Sequence, residues 1–324
     1  MLIADSGPVA SELAPSAGDT AGARRALWIG TGLLAVFYVG LFIGGTRFFV
    51  YKTAVLPVFL VYGMLLRERV AFARDWVPLL AATLLFDALR GAIYVAIASG
   101  SHDYYVEYVI ALEQAVLGVP AVPVLLQTMR APALDLAAVL IHGSHFAYFL
   151  LFGLVLWHAR REHFPTFRRA LVLVMAFGLV GYWAIPTAPP WLAAQQFDLP
   201  PVEWIVSGVY THRLPELHRA FDTNPVAAMP SLHAAFPLMC ALVGWQAYGR
   251  RIGTILSIYA ALVAFSVMYL GEHYGVDVLA GVLVAVLATH LGPRMAGLGL
   301  SFRGAMGVSG LTFGLAALLS LFLR

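Results

Sequence analysis

Long apolar stretches recur along the chain and dominate its pattern. A bilayer core of about 30 Å needs about 20 helical residues, and nine stretches come near that length. They cover residues 27–45, 52–66, 76–98, 134–157, 168–186, 232–248, 252–269, 275–292 and 307–323. The pattern predicts an all-α fold, a polytopic transmembrane helical bundle with about nine spans.

Composition supports a membrane protein. Hydrophobic residues make up 61% of the 324 residues and charged residues 11%, whereas a soluble domain has about 45–50% and about 25%. The net charge is +3, and no run of like charges follows the chain, so we expect no nucleic-acid partner. Cys240 is the only cysteine, which excludes an intramolecular disulfide and a cysteine-rich metal site.

Three segments interrupt the apolar pattern. Residues 1–23 are rich in Ala, Ser, Gly and Pro and lack the basic start of a signal peptide, which predicts a disordered cytoplasmic tail before one transmembrane domain over 24–324. Residues 99–133 alternate apolar side chains with Glu107 and Glu113, a pattern typical of an interfacial helix. Residues 187–231 form a long loop rich in Pro and Trp, and long loops are often functional.

Basic residues are divided unevenly between the two ends of the predicted helices. With the amino terminus in the cytoplasm, thirteen arginines fall on the cytoplasmic side and six basic residues on the other. Because cytoplasmic loops carry the excess of positive charge, we expect a multi-pass cell-membrane protein whose 187–231 loop is extracytoplasmic. The thirteen are Arg24, Arg25, Arg67, Arg69, Arg74, Arg160, Arg161, Arg168, Arg169, Arg250, Arg251, Arg294 and Arg303.

The first chemical motif ends the 187–231 loop, where Pro230-Ser231-Leu232-His233 precedes an apolar stretch. Proline near the first helical position is a typical helix start. The first turn of a helix presents unpaired N–H groups and a partial positive charge, which bind anions. Ser231, Leu232 and His233 are therefore candidate phosphate contacts, although simple capping by Pro and Ser explains this segment equally well.

The second motif lies in the short turn between the seventh and eighth predicted helices, where His273 and Asp277 are four residues apart. On a helix this spacing places both on one face. The carboxylate then accepts the N–H of one ring nitrogen and leaves the other free as a nucleophile. Such a pair is often structural, but ionisable groups within an apolar membrane helix favour a function.

Both motifs are expected at the same end of the bundle. His233 begins the sixth predicted helix and His273 precedes the eighth, so the two imidazoles and the carboxylate emerge at the extracytoplasmic face. This set suffices for phosphoryl transfer. One imidazole attacks phosphorus, the carboxylate orients it, and the second imidazole protonates the leaving oxygen.

With these motifs the chain resembles the type 2 phosphatidic-acid phosphatase superfamily, and within it the branch similar to inositol phosphorylceramide synthases. The resemblance implies a six-helix catalytic core with His273 as nucleophile, Asp277 as its partner and His233 as general acid and base. It also implies that no metal or other cofactor is required. The matching residues are Pro230-Ser231-Leu232-His233, His273-Tyr274, Asp277 and Ala280-Gly281.

The chain departs from the phosphatase branch at positions that carry positive charge there. Ser266-Val267 stands where that branch has Ser-Arg, Leu232 stands where it has Gly, and its lysine motif followed by Arg-Pro is absent. Something must offset the charge on three phosphoryl oxygens. The missing cations therefore favour the headgroup-transfer branch over simple phosphatases.

Replacement cations and hydrogen-bond donors are sought within the helices and on the loop. Arg90 lies about eight residues below the end of the third predicted helix, with Asp87 three positions earlier on the same face. A charged pair at that depth is costly unless it is used or neutralised, so both a structural network and a substrate contact explain it. The further candidate substrate contacts are His142, His145, Arg213 and Tyr274, with Arg219, His212 and His218 also on the outer loop.

The leading hypothesis is an integral membrane enzyme that forms a phosphohistidine from a lipid phosphate or phospholipid. It passes the phosphoryl-headgroup unit to an alcohol acceptor, as an inositol-phosphate type of transferase, or to water, as a lipid phosphatase. A transporter with an intramembrane polar site is the alternative, but the chain shows no internal repeat. A third hypothesis is a metal-dependent hydrolase using His233, His273, Asp277 and Glu272.

The charge distribution generates a test of orientation. In a Cys240→Ala background, a membrane-impermeant thiol reagent applied to intact cells should label His212→Cys and spare Glu162→Cys. These positions lie in loops predicted on opposite sides of the membrane. Labelling of position 162 alone would reverse the predicted topology.

Overall fold

The computed structural model describes residues 59, 61–98, 106–119, 121–196, 201–209 and 224–295. Over these ranges the predicted all-α fold is confirmed, and one isolated bridge joins Thr187 to Ala227. The helices are α1 (Arg69–Ala96), α2 (Glu107–Leu117), α3 (Val122–Gln127), α4 (Pro132–Ala159), α5 (Phe164–Ala184), α6 (Pro190–Gln196), α7 (Ile205–Val209), α8 (Leu232–Tyr248), α9 (Arg250–Tyr269) and α10 (Gly275–Leu291). Short 3₁₀ turns follow α4 and α10.

The long helices coincide with six of the predicted apolar stretches, namely α1, α4, α5, α8, α9 and α10. Four segments are long and apolar enough to cross a membrane: Arg69–Ala96, Arg161–Ala184, Arg250–Tyr269 and Gly275–Met295. The bent α4 makes five if it counts as one span. The stretches 27–45 and 307–323 and most of 52–66, like the tail 1–23, lie outside the described residues, so nine spans remain a prediction.

Helix α8 lies at the centre of the described bundle and contacts α4, α5, α9 and α10. Many of its buried residues are small, including Ala234, Ala235, Cys240, Ala241 and Gly244. Lipid supplies little hydrophobic drive for helix association, so membrane helices associate largely through close van der Waals packing. Small residues permit this close approach. The close packing of α8 thus brings its first turn, which carries His233, against the neighbouring helices.

Helix α4 is bent by 49° between Pro132–His145 and Ala147–Ala159. Two side chains at the bend bind helix carbonyls of the preceding turn: Ser144 Oγ donates to Ile141 O at 2.8 Å, and His145 Nδ1 lies 2.5 Å from His142 O. Gly143 precedes Ser144, and Gly/Ser pairs are a usual cause of sharp helix kinks. The bend therefore lies where α4 carries its two histidines.

The segment predicted as one interfacial helix forms two short helices, α2 and α3. Tyr108 and Val116 are 55% and 54% exposed, as expected of a helix lying in the membrane interface. Glu113, expected on the polar surface, is instead 0% exposed. The reason is that its carboxylate accepts hydrogen bonds from several backbone N–H groups, including those of Gly275 and Val276 at the start of α10.

Basic residues gather at the end of the bundle away from the two motifs. Asp75 of α1 accepts Trp157 Nε1 at 3.0 Å and lies 3.7 Å from Arg161 Nη2 and 3.9 Å from Arg168 Nη1. Arg161 also binds Glu68. These contacts tie the starts of α1 and α5 to the end of α4.

The starts of α8 and α10 meet through backbone contacts. Ser231 N–H donates to the Asp277 carbonyl at 2.9 Å. A Cβ atom added at Gly281 would lie 2.2 Å from the Ser231 carbonyl oxygen. This approach, which only glycine permits, holds the two motif segments side by side.

Replacing Gly281 with alanine should therefore destabilise the bundle. The added methyl group would push the Ser231 backbone away, and overpacking of this kind costs about 1–3 kcal/mol. Thermal unfolding of the purified protein in detergent should show a lower Tm. Gly143→Ala is the matched control, since a Cβ there meets nothing within 4 Å, and its Tm should stay equal or rise. Equal Tm values for Gly281→Ala and the wild type would contradict this packing.

Candidate active site

His273 lies in the turn that joins α9 to α10, and Asp277 lies in the first turn of α10. His273 precedes the N-cap Tyr274, and Asp277 is the third residue of α10, so the pair does not stack within one helix as the spacing predicts. Its atoms are nevertheless close, with His273 Nδ1 3.4 Å from Asp277 Oδ2. Tyr274 N–H donates to the same carboxylate oxygen at 2.8 Å. Capping of α10 therefore fixes the carboxylate beside the imidazole.

Backbone contacts also fix the turn that carries His273. The N–H groups of Glu272 and His273 donate to the Val267 carbonyl at 2.9 and 3.2 Å. Gly271 has φ +82°, a left-handed conformation that glycine adopts without strain. The His273 side chain is 4% exposed and that of Asp277 is 0% exposed. The pair is thus desolvated as well as oriented.

His233 completes a chain of three ionisable groups. It lies in the first turn of α8, after the N-cap Ser231, and its Nδ1 is 2.8 Å from His273 Nε2. Residues 40 positions apart are therefore in hydrogen-bond contact. The two ring nitrogens of His273 face different partners, with Nδ1 toward Asp277 and Nε2 toward His233.

The residues around these histidines make mainly capping and packing contacts. Pro230 precedes the N-cap of α8 and is not its first helical residue, because Ser231 is extended and its Oγ accepts Ala234 N–H at 3.4 Å. Leu232 is buried against Gly178 of α5. Tyr274 is buried near Val109 and Met229. Substrate contacts by Ser231, Leu232 and Tyr274 remain predictions.

Tyr274 stays a neutral phenol in this environment. Burial first, and then the negative charges of Asp277 and Glu113, raise the pKa of Tyr274 well above its usual value of about 10. A tyrosine with such a pKa does not exchange protons near neutral pH. Proton transfer in the turn is left to the imidazoles.

His142 and His145, predicted as candidate substrate contacts, lie beside the motif histidine His233. Their ring centroids lie 5.0 and 4.4 Å from that of His233. The ring nitrogens of His142, His145 and His233 lie within 4.8 Å of one another, so these residues could hold a metal ion. Three imidazoles are a donor set that Zn²⁺ accepts. The expectation that no metal is needed remains a prediction.

Arg90 and Asp87 are half-buried on α1. The buried Asn224 amide donates to the Arg90 carbonyl at 3.2 Å, and its Oδ1 accepts Val226 N–H at 3.1 Å. This side chain ties α1 to the loop that leads into α8, a role that sequence reasoning missed. Arg213, Arg219, His212 and His218 lie outside the described residues.

Two tryptophans of the long loop contact the turn directly. Trp204 Nε1 donates to Glu272 Oε1 at 2.6 Å, and its ring stacks on Trp191 with centroids 4.6 Å apart. Trp191 N–H donates to the Gly271 carbonyl at 3.1 Å. The described parts of the long loop therefore cover the residue next to His273. Glu272 serves as an acceptor for Trp204.

A chain of contacts from His233 to the buried His273–Asp277 pair, at one end of a bundle of apolar helices, defines a membrane protein with a histidine-based polar site. The family model of the PAP2 superfamily matches residues 107–291. This is more than half of the 324 residues, and the chain belongs to the PAP2 superfamily. The resemblance drawn from the two motifs is confirmed.

Two curated relatives refine this assignment. The phosphoinositol dihydroceramide synthase of Bacteroides thetaiotaomicron is 30% identical over 150 residues, which are 43% of this chain and 48% of the relative. The inositol phosphorylceramide synthase catalytic subunit aur1 of Schizosaccharomyces pombe is 26% identical over 140 residues, 38% of this chain and 31% of the relative. The matches thus span less than half of each relative's length. No solved structure matches this chain.

Proposed function

We propose that this protein is an integral membrane enzyme that transfers a phosphoryl-headgroup unit of a lipid phosphate or phosphodiester through a phosphohistidine. The observation that carries the proposal is the chain of contacts from the buried Asp277 and His273 to the half-buried His233. Membership of the PAP2 superfamily and the names of the two relatives support transfer of an inositol-phosphate headgroup to a lipid alcohol. Hydrolysis, with water as acceptor, is the second outcome of the same chemistry.

His273 is the nucleophile in this mechanism. Its Nδ1–H faces Asp277, so the lone pair lies on Nε2. Nε2 forms a bond to phosphorus while the bond from phosphorus to the leaving lipid oxygen breaks. Asp277 stabilises the positive charge that develops on the ring. The product of this step is a phosphohistidine and a free lipid alcohol.

His233 is the general acid and base. Its Nδ1 is now 2.8 Å from the attacking nitrogen, which leaves no room for a phosphoryl group. Substrate binding therefore turns the His233 ring away from Nε2, and the protonated ring then gives a proton to the leaving oxygen and becomes neutral. After the first step, neutral His233 accepts the proton of the incoming alcohol or water, which attacks the phosphohistidine and releases His273.

The charge on the transferred group is offset by neighbouring donors. Arg90, tied by Asn224 to the loop before α8, is the candidate cation, and His142 and His145 line the site of His233. A desolvated cation stabilises phosphoryl charge more strongly than one screened by water. We propose that Arg90 replaces the cations of the phosphatase branch. Asp87 then keeps this cation neutralised when no substrate is bound.

The enzyme is proposed to act at the extracytoplasmic face, within a six-helix core of a bundle of about nine spans. The transporter alternative loses its motive, because the polar residues of α4, α8 and the α9–α10 turn meet at one end of the described bundle. The hydrolase alternative that uses Glu272 as a metal ligand is weakened by the contact of that carboxylate with Trp204.

Product analysis tests the proposal. Purified protein is incubated with labelled phosphatidylinositol, with and without a ceramide acceptor, and separately with phosphatidic acid. We expect inositol phosphate on the ceramide and release of diacylglycerol. Free phosphate from phosphatidic acid with no transfer product would replace the transferase by a phosphatase. The absence of product from every lipid would reject the proposal. Loss of activity in EDTA would show that the mechanism requires a metal ion.

The two histidines should differ in a transient-state experiment with a nitrophenyl phosphoester, whose leaving group needs no protonation. His273→Ala should form no phosphoenzyme. His233→Ala should release about one nitrophenol per protein and then stall, because breakdown still needs a base. With a lipid alcohol as leaving group, His233→Ala should lose about 10²- to 10⁴-fold in rate.

Rapid quench followed by mass spectrometry locates the phosphate. Phosphate on His273 that survives alkali is expected in the His233 variant. A burst from His273→Ala and none from His233→Ala would exchange the two assigned roles.

A further inference from the structure

Glu113 of α2 is a buried acid outside the two motifs, and its carboxylate accepts hydrogen bonds from the start of α10, the helix that carries Asp277. Its Oε1 accepts Gly275 N–H at 3.0 Å, and its Oε2 accepts Val276 N–H at 2.8 Å. Oε1 also accepts Val122 N–H at 2.8 Å, at the start of α3. One side chain thus ties α2, α3 and α10 together at the edge of the site.

The start of α10 explains why a carboxylate is held there. The first turn of a helix presents N–H groups without helical partners and a partial positive charge. Asp277 accepts a hydrogen bond from the N–H of the N-cap Tyr274. Glu113 accepts hydrogen bonds from the next two N–H groups, those of Gly275 and Val276. A buried carboxylate is costly unless it is paired, and three N–H donors with the helix dipole satisfy this one.

The close approach of α2 to α10 depends on a small residue. A Cβ atom at Gly275 would lie 2.4 Å from Leu117 Cδ1 and 3.4 Å from Glu113 Oε1. The absence of a side chain at Gly275 lets the carboxylate reach the backbone. Gly275 and Val276 are also the residues between His273-Tyr274 and Asp277. Fixing their N–H groups therefore fixes the separation of nucleophile and carboxylate.

We infer that Glu113 is a positioning residue for the phosphoryl transfer proposed above, acting through the start of α10 on the His273–Asp277 pair. The inference rests on that proposed function for its catalytic consequence. Misplacement of reacting groups by about 1 Å can cost on the order of 10²-fold in rate. Loss of the carboxylate should thus slow the chemical step and leave lipid affinity nearly unchanged.

The test uses Glu113→Gln, which keeps the shape but sets an amide N–H₂ against a backbone N–H. Glu107→Gln is the matched control, since Glu107 is exposed in the first turn of the same helix. Proteins are compared at equal amounts of monodisperse material. We expect kcat to fall by about 10- to 100-fold with little change in KM. Glu113→Asp keeps the charge but has a shorter reach, and it should lie between wild type and Glu113→Gln.

A second measurement does not depend on activity. Diethylpyrocarbonate modifies accessible neutral imidazoles, and mass spectrometry reads the rate at each histidine. Loosening of the turn in Glu113→Gln should speed modification of His273 several-fold, whereas the exposed His290 at the far end of α10 should react at an unchanged rate. Glu107→Gln should change neither rate.

The two measurements distinguish failure of the inference about Glu113 from failure of the proposed function. An unchanged His273 modification rate in Glu113→Gln overturns the inference, whatever the activity. Faster modification with unchanged kcat also overturns it, because the geometry of the turn would then be irrelevant to the rate. If the wild type neither transfers nor hydrolyses any lipid phosphate, the proposed function fails. The modification rate of His273 then decides alone whether Glu113 holds that imidazole in place.

Discussion

The contact between His233 Nδ1 and His273 Nε2 is the interaction on which the site depends. It joins the first turn of α8 to the turn before α10, two segments separated by 40 residues. The contact is made possible by the bond from Ser231 N–H to the Asp277 carbonyl and by the bare backbone of Gly281. Helix packing in the apolar bundle therefore sets the distance between two polar rings.

The buried polar side chains around this contact include His273, Asp277 and Glu272, and an unmatched charge or N–H in such surroundings is costly. Contacts from several elements supply hydrogen-bond partners for these groups. Asp277 and Glu113 cap α10, Asn224 ties α1 to the loop before α8, and Trp204 holds Glu272. Glu113, Asn224 and Trp204 come from segments that carry no recognisable motif. The contacts restrict the movement of the turn that carries His273.

The superfamily assignment and the local geometry support one another. The matched region 107–291 contains the motif histidines, Asp277, Glu113 and the two histidines of α4. Arg90 and Asp87 of α1 lie before it, so they belong to a part of the chain in which the family match gives no guidance. The backbone of Arg90 is tied to the loop before α8 by the Asn224 amide.

The sequence by itself determined the class of fold, the two motifs and the family. Apolar length identifies membrane helices, because the bilayer demands about 20 residues from each. The motif residues are local in the chain, so spacing was enough to single out His233, His273 and Asp277. Their mutual position was harder to predict. The spacing suggested that His273 and Asp277 share a helix face, whereas His273 lies before α10 and is brought to Asp277 by the turn.

Only the tertiary structure decided the contacts made between distant segments. Glu113 sits in a stretch whose alternation predicts a surface helix, and no local pattern reveals that its carboxylate reaches the N–H groups of Gly275 and Val276. His142 and His145 meet His233 because α4 packs on α8 and bends just after His145. Periodicity reports which face of a helix is apolar. It does not report which helix lies opposite, since that depends on how side chains of the whole bundle fit together.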